Sequence, residues 1–270
     1  MDQESLTKEC ILVDDEDVEV FEVYDTEHES LNRMNDLPQK EKHTREIIEN
    51  MNTVSSVPVT SEPQKVLVLT FWRSGSTWVG KLLSKIPNTF YVYEPLHIIR
   101  YYWMERRINM YHGLKVNFLE QLLTCAIPLE FVYHLSSWPG MYDNIKCNSS
   151  RCNIHRIITE ECRNASFRIV KANRLQLQEV EEILLKKTLS NLKVIYLVRD
   201  PRGVINSIRH IEKKYIDITV DDVCPRMRAD LAMYPILKDF YPSNFFFLRY
   251  EDLANHSLKE GQRIMVFHPG

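Results

Sequence analysis

The sequence predicts an α/β fold in three layers, with a central parallel sheet flanked by helices. Short apolar, β-branched runs alternate with stretches of helical apolar spacing over most of the chain. The apolar runs are continuous, which is typical of strands buried on both faces of a parallel sheet. Two of these runs end at an arginine, and a helical pattern follows shortly after each. Alternation of this kind is typical of strand-helix-strand units.

The predicted elements begin with a strand at about 66–71. A helix at 77–86 comes next, and the short extended run "TFYVYEP" ends at Pro95. Apolar spacing predicts helices at 96–110 and 118–134, whereas 135–165 is predicted to be rich in loops. The second half then contains the strand "FRIVKANR", the helix "LQLQEVEEILLKK", the buried strand "NLKVIYLVRDP", the helix "RGVINSIRHIEKK", a helix at about 219–239 and the strand "SNFFFLRYEDL".

Charge divides the chain of 270 residues into two parts. Residues 1–65 hold 17 acidic and 6 basic residues, a net charge of -11, with little apolar periodicity. The remaining 205 residues hold 20 acidic and 28 basic residues, or +8. We predict a disordered acidic segment at 1–64 and one domain at 65–270, whose basic character suits an anionic cofactor or substrate. Without an array of base-stacking aromatic residues, nucleic-acid binding is not expected.

The turn between the first strand and the first helix has the composition of an anion site. It reads "RSGST". The N–H groups and dipole at a helix start attract anions, and Gly75 lets the backbone approach a ligand closely. Arg73 offers a planar cationic fork. Hydroxyl donors come from Ser74, Ser76 and Thr77. An ordinary capped turn is the simpler interpretation.

The same turn partly matches a nucleotide-hydrolase motif. Gly75, Gly80 and Lys81 fit G-x-x-x-x-G-K, but Leu82 follows where that motif needs a hydroxyl for magnesium. Helical spacing from Trp78 onward also predicts that Gly80 and Lys81 lie inside the helix. A P-loop kinase or NTPase is therefore kept as an alternative function.

A second strand-to-helix turn carries another arginine and hydroxyl. Arg199 ends a buried strand, and Asp200 with Pro201 predicts a helix start. Ser207 lies about two turns into that helix, so the pair can hold a second phosphate where ligands of α/β sheets bind. Alternatively, Arg199 simply pairs with a carboxylate.

Cysteines and glycosylation sequons indicate an oxidising compartment. Four cysteines are expected to form disulfides, in a pairing that the sequence does not resolve: Cys147, Cys152, Cys162 and Cys224. Zinc is the alternative, although C-x4-C-x9-C lacks the tight C-x2-C spacing. Cys10 and Cys125 are expected to be unpaired. The sequons lie at Asn148, Asn164 and Asn255.

Four motifs in order resemble the carbohydrate sulfotransferases of the Golgi, notably the 6-O-sulfotransferases of galactose, N-acetylgalactosamine and N-acetylglucosamine. They are "RSGSTW", "YEP", "LVRDPRGVINSIR" and "LRYEDL", and the resemblance covers about 65–263. It implies a P-loop-like sulfotransferase fold and transfer of a sulfuryl group from 3'-phosphoadenosine 5'-phosphosulfate to a hydroxyl, the 6-hydroxyl, of a sugar in a glycan or proteoglycan.

The resemblance also implies roles for individual residues. Arg199 and Ser207 bind the 3'-phosphate of the donor. The 5'-phosphosulfate loop consists of Arg73, Ser74, Gly75, Ser76, Thr77 and Trp78. Arg73 neutralises charge on the leaving group in this scheme, and no metal is needed where arginine, lysine and helix dipoles supply positive charge.

For the acceptor hydroxyl, the resemblance makes Glu94 of the "YEP" motif the candidate general base. Without the resemblance, the sequence predicts that Glu94 is a surface carboxylate before a proline turn. His97 is the second candidate. Lys171 and Arg174, in "VKANR", ease charge on the donor or acceptor; otherwise they are a solvated pair at the end of a strand.

The chain departs from the family at both ends. Family members are normally type II membrane proteins, so a membrane anchor and a Golgi location are implied by the resemblance, but no run of 18 apolar residues and no signal-peptide pattern occurs here. They also continue beyond the "RYEDL" strand. We therefore expect a domain truncated at its C-terminus, and a truncated inactive nucleotide-binding relative is the third functional hypothesis.

Overall fold

A computed structural model describes residues 62–99, 111–135, 142, 153–210 and 220–267. The predicted acidic segment falls almost entirely outside this part of the chain, as do Cys147, Cys152 and Asn148. Asn164 and Asn255 are both exposed. None of the helices described is both long and apolar enough to cross a bilayer.

Within the described part of the chain, five parallel strands form one sheet in the order β2-β3-β1-β4-β5. Continuous β-branched and aromatic runs build them, because strands covered on both faces bury every side chain. The central parallel sheet with flanking helices confirms the predicted fold class. The strands are β1 (Gln64–Thr70), β2 (Thr89–Tyr93), β3 (Phe167–Ala172), β4 (Leu192–Val198) and β5 (Phe245–Arg249).

Nine helices of the described residues surround the sheet, together with a short 3-10 turn at Lys187–Leu189. They are α1 (Ser76–Leu83), α2 (Tyr111–Leu123), α3 (Leu129–Leu135), α4 (Ile154–Asn164), α5 (Leu177–Leu184), α6 (Pro201–Arg209), α7 (Val220–Phe240), α8 (Tyr250–Asn255) and α9 (Ser257–Val266). The predicted cap of α6 is confirmed, because the Asp200 side chain accepts from the Arg202 N–H and Pro201 is the first helical residue.

The two faces of the sheet carry separate cores. In β1, Leu67 and Leu69 face the core under α2 to α5, whereas Val66 and Val68 face the core under α1, α8 and α9. This alternation follows from the two-residue period of a strand. A smaller cluster lies beyond the sheet, at its carboxyl edge. We call it the edge cluster; it consists of Phe71, Val204, Ile205, Ile208, Val223, Cys224 and Met227.

Two predicted segments differ from the structure. The stretch predicted to be loop-rich contains α4, whose only fully buried positions are Ile158 and Cys162, one turn apart on a polar helix. So few apolar residues gave no clear period. The predicted helix at 118–134 is two helices, α2 and α3, because the chain turns at Cys125 with a left-handed φ of 62°.

The expectation that Cys125 is unpaired is wrong. Cys125 and Cys162 form a disulfide with a Cα–Cα distance of 5.6 Å. It joins a residue just after α2 to one near the end of α4. The two cysteines are 37 residues apart in sequence, so clustering along the chain gave no hint of the pairing. A disulfide-bonded Cys162 also cannot be a zinc ligand in the predicted C-x4-C-x9-C pattern. Cys224 is disulfide-bonded as well, to a cysteine outside the described residues.

The strand order places the topological switch point of the sheet between β1 and β4. After β1 the chain proceeds to β2 on one side, and after β4 it proceeds to β5 on the other. Ligands of open α/β sheets bind where the direction reverses in this way, outside the carboxyl ends of the strands. The two arginine-bearing turns of the sequence leave the sheet at this place.

Candidate active site

The turn after β1 is an uncapped helix start. Gly75 is the N-cap of α1 with φ 81°, and it has no side chain with which to cap the helix. The Ser74 side chain is fully buried, and its hydroxyl has no hydrogen-bond partner among the described residues. A buried hydroxyl without a partner is costly, so it favours a ligand that accepts its hydrogen bond.

Gly75 is required by its surroundings as well as by its backbone angle. A Cβ atom added there would lie 2.3 Å from Cδ2 of Tyr250, the first residue of α8. No side chain fits between this ring and the turn. The backbone of the turn is therefore held against α8, with its N–H groups at the edge of the sheet.

The two predicted anion sites are connected directly. Arg73 Nε donates to Ser207 Oγ over 2.9 Å, and Arg199 Nη1 donates to the carbonyl of Arg73 over 3.0 Å. Among the described residues, the two terminal Nη atoms of Arg73 donate to no protein acceptor, and Arg73 is exposed to solvent. No described carboxylate forms an ion pair with Arg199, so the simple ion-pair interpretation of that residue does not hold.

Arg199 is held in place by its neighbours. Its guanidinium carbon lies 4.3 Å from the ring centroid of Tyr250, a cation–π contact. On another side it meets Gly203, where an added Cβ would lie 2.9 Å from Arg199 Nε. Stacking and a glycine surface thus orient the charge without neutralising it, which leaves the charge available for an anion.

The second half of the site lies at the ends of β2 and β3. Lys171 Nζ donates to Glu94 Oε1 over 2.5 Å, and Arg174 Nη1 donates to Glu94 Oε2 over 3.2 Å. Glu94 is 5% exposed and Lys171 is 1% exposed. Glu94 is therefore not a surface carboxylate, and the two cations are not a solvated strand-end pair. His97 is half-buried in the turn that follows Glu94.

Burial and charge act on these groups in opposite directions. Burial acts to raise the pKa of Glu94, but Lys171 and Arg174 outweigh it and hold the pKa below the ordinary value of a glutamate. Burial lowers the pKa of Lys171, although Glu94 opposes this. Glu94 is consequently an ionised carboxylate at neutral pH, with both oxygens engaged by cations.

Tyr93 connects the two halves. Its hydroxyl is 3.5 Å from Thr77 Oγ1 in the first turn, and Lys171 Nζ lies 4.1 Å from the centre of its ring. Burial, followed by the charge of Glu94, raises the pKa of Tyr93, which keeps the phenol protonated at neutral pH. The phenol is positioned beside both the predicted donor loop and the predicted base.

The nucleotide-hydrolase motif does not form the site. Gly80 and Lys81 lie inside α1, with Lys81 exposed in its last turn and Leu82 buried in the core. Lys81 therefore lies more than one turn into the helix, whereas the lysine of that motif lies at the helix start. Among the described residues, no group of three or more histidine, cysteine or acidic side chains is placed to hold a metal ion.

Comparison with known proteins identifies the family of this chain. The sulfotransferase domain family matches residues 63–268. The chain belongs to this family. The match covers the sheet, both arginine-bearing turns and the paired charges at Glu94, and the resemblance deduced from the four sequence motifs is confirmed.

The curated relatives of this sulfotransferase domain include several carbohydrate sulfotransferases. Carbohydrate sulfotransferase 4 of Mus musculus is 25% identical over 76% of this chain and 65% of its own length. Carbohydrate sulfotransferase 1 of Danio rerio is 26% identical over 77% and 63%. Carbohydrate sulfotransferase 3 of Mus musculus is 23% identical over 90% and 66%. The chain thus spans slightly less than two-thirds of each of these relatives.

Solved sulfotransferase structures are similar to this chain at lower sequence identity. The sulfotransferase domain of the Synechococcus PCC 7002 olefin synthase is 19% identical, with a TM-score of 0.45, and covers 78% of this chain and 75% of its own. The mouse sulfotransferase SULT7A1 complexed with PAP is 12% identical, with a TM-score of 0.43. That match covers 80% of this chain and 62% of the mouse chain.

Sequence reasoning assigned no role to several residues that build the site. Tyr93, Tyr250 and Gly203 all lie inside the quoted motifs, and Gly203 belongs to the first turn of α6. The sequence signal that could have indicated a role was the position of each tyrosine, at or just beyond the carboxyl end of a strand. The ring contacts that define their roles join segments that are far apart in the chain.

Proposed function

We propose that this sulfotransferase domain transfers a sulfuryl group from 3'-phosphoadenosine 5'-phosphosulfate to a sugar hydroxyl, the 6-hydroxyl, of a glycan or proteoglycan. One observation carries the proposal: Arg73, Arg199 and Ser207 form a connected cationic site next to the uncapped start of α1. The site offers positive charge at two neighbouring turns, as a nucleotide with anionic groups at two positions requires. The buried hydroxyl of Ser74 supplies an unused donor.

The residues fit the donor in a definite order. The N–H groups at the start of α1, the Ser74 hydroxyl and Arg73 hold the 5'-phosphosulfate, with Ser76, Thr77 and Trp78 completing the loop. Arg199 and Ser207 hold the 3'-phosphate. Because backbone dipoles, guanidinium groups and hydroxyls supply this binding, no metal ion is part of the proposal.

Glu94 is proposed as the general base. In the reaction, a bond forms between sulfur and the acceptor oxygen, the bond from sulfur to the 5'-phosphate breaks, and the acceptor proton moves to a Glu94 oxygen. A carboxylate with a lowered pKa is ionised and ready to accept, although it is a weaker base than an isolated one. Lys171, which donates to Glu94, is proposed to ease charge on the donor or acceptor.

The proposed location is the Golgi lumen, which the carbohydrate sulfotransferase relatives suggest. The disulfide between Cys125 and Cys162 supports an oxidising compartment. Exposed sequon asparagines at 164 and 255 are compatible with a glycoprotein.

The deciding experiment incubates the chain with radiolabelled sulfate donor and desulfated chondroitin, keratan and mucin-type glycans. Transfer of label to one glycan supports the proposal and identifies the acceptor class. Calorimetry with adenosine 3',5'-bisphosphate runs in parallel. Nucleotide binding without transfer would indicate an inactive relative, and magnesium-dependent nucleotide hydrolysis would indicate a kinase or NTPase. Neither binding nor transfer would overturn the proposal.

A further inference from the structure

Arg226 of α7 contacts the backbone on both sides of Arg174. One nitrogen, Nη2, donates to the carbonyl of Asn173 over 3.1 Å and to that of Leu175 over 3.0 Å. Arg174 itself donates to Glu94. A single guanidinium group thereby fixes the turn after β3 at the residue that contacts the proposed base.

The same guanidinium contacts the other half of the site. Its central carbon lies 5.1 Å from the ring centroid of Phe71, the residue between β1 and the donor loop. Phe71 belongs to the edge cluster, in which Val204 and Ile208 of α6 lie on either side of Ser207 in sequence. Arg226 therefore touches the base of the donor loop and the turn beside Glu94 at once.

The position of Arg226 is itself well determined. Two residues earlier, Cys224 is buried and disulfide-bonded. One turn later, Asp230 accepts from the Leu177 N–H over 2.8 Å. Consecutive turns of α7 thus hold the segment from Asn173 to Leu177. These contacts hold α7 against residues 173–177, next to the site. The Arg226 side chain is therefore held in one position.

We propose that Arg226 is a positioning residue for sulfuryl transfer, holding the Arg174–Glu94 pair in register with the donor loop. It touches neither the proposed donor nor the proposed base, and it acts through the backbone of 173–175 and the ring of Phe71. The inference rests on the proposed function for its catalytic consequence, whereas its structural content stands on the contacts alone.

Arginine suits this position for two reasons. Its nitrogens donate to several carbonyls at fixed angles, and its planar face stacks on an aromatic ring. Lysine keeps the charge and can donate to a carbonyl, but it has no planar face for Phe71. Leucine keeps only the apolar packing. The series Arg226→Lys and Arg226→Leu therefore separates the stacking on Phe71 from the charge and hydrogen bonding taken together.

The test compares these two variants with Arg228→Leu, which alters an exposed residue of the same helix. In Arg226→Leu we expect kcat to fall on the order of 100-fold, because small misplacements of catalytic groups cost that much. The dissociation constant for adenosine 3',5'-bisphosphate should change by less than about threefold, because the direct phosphate contacts remain. Arg226→Lys should recover part of kcat, and Arg228→Leu should match the wild type.

A second measurement decides the inference even if no glycan is sulfated. Amide hydrogen exchange in 172–177 should accelerate by about tenfold or more in Arg226→Leu, while exchange in β4 stays unchanged. Unchanged exchange in 172–177 would overturn the inference. So would a wild-type kcat, or a loss of kcat that tracks a general loss of thermal stability and of nucleotide affinity.

Discussion

Lys171 donates to Glu94 over 2.5 Å between the ends of two adjacent strands, and neither side chain is more than 6% exposed. A buried pair of this kind is stable only while both charges are present. The sheet therefore brings an ionised carboxylate to its carboxyl edge and keeps it there with a cation that is itself almost completely buried.

The first prediction concerns this pair. Glu94→Gln should destabilise the domain by roughly 3–5 kcal/mol, because it leaves the buried Lys171 without its carboxylate. Lys171→Met should cost less, because Glu94 keeps its ion pair with Arg174. The double variant should lose clearly less than the sum, measured by urea unfolding. Strictly additive losses would show that the two side chains do not depend on each other.

In the transfer assay, Glu94→Gln should bind donor nucleotide and lose rate; an active Glu94→Gln would remove that residue as base.

The donor loop gives a second prediction. Arg73→Ala should weaken binding of adenosine 3',5'-bisphosphate on the order of 100-fold, because charge-assisted hydrogen bonds are lost, and should abolish transfer. Ser207→Ala should weaken binding less, about tenfold, since it removes one hydroxyl and the acceptor of Arg73 Nε. Calorimetry measures both. Lys81→Ala is the control, and a large effect there would favour the nucleotide-hydrolase alternative.

A third prediction uses two glycines. Gly75→Ala places a methyl group against Tyr250 at φ 81°, so we expect a loss of about 1–3 kcal/mol in the free energy of unfolding together with weaker nucleotide binding. Gly113→Ala is the matched control in α2, where an added Cβ meets no atom within 4 Å. It should stabilise the domain by up to about 1 kcal/mol. Equal effects of the two changes would contradict this account of the turn.

Asp230 supplies a prediction about pH. Burial, only partly opposed by the Leu177 N–H and Arg226, raises its pKa from 3.8 to about 6. The folded state therefore holds the proton more tightly than the unfolded state. The resulting stability is present below pH 3.8 and is lost as pH rises through about 6, by roughly 3 kcal/mol in total.

Asp230→Asn keeps an acceptor for Leu177 and cannot ionise. Relative to wild type it should gain stability at pH 7.5, by up to about 3 kcal/mol, with little gain near pH 4. Asp239→Asn, on an exposed part of the same helix, should show no such difference. Unfolding in urea at the two pH values measures the effect, and a gain that is equal at both would rule out titration of Asp230 as its cause.

The disulfide between Cys125 and Cys162 closes a loop of 37 residues. Replacing both cysteines with serine should cost about 4 kcal/mol in the free energy of unfolding, because the reduced chain regains the entropy of that loop. Thermal unfolding of the variant, beside wild type with and without reductant, provides the measurement. A variant as stable as the oxidised wild type would show that packing of α2 on α4 suffices.

Local patterns were enough to predict the sheet, the cap at Asp200 and the two arginine-bearing turns. Each depends on residues close in sequence, such as a β-branched run that ends in "RSGST". Contacts between distant segments were not predictable in the same way. Burial of Glu94 depends on a lysine 77 positions away, and the Cys125–Cys162 pairing depends on a polar helix whose two buried residues gave no period.

The bond from Arg199 to the carbonyl of Arg73 has a consequence for selectivity. It fixes the distance between two positive centres, because neither turn can shift without displacing the other. We expect such an arrangement to discriminate by the spacing of anionic groups along a molecule rather than by their number. A triphosphate with more negative charge, all of it at one end, would satisfy only one of the two turns.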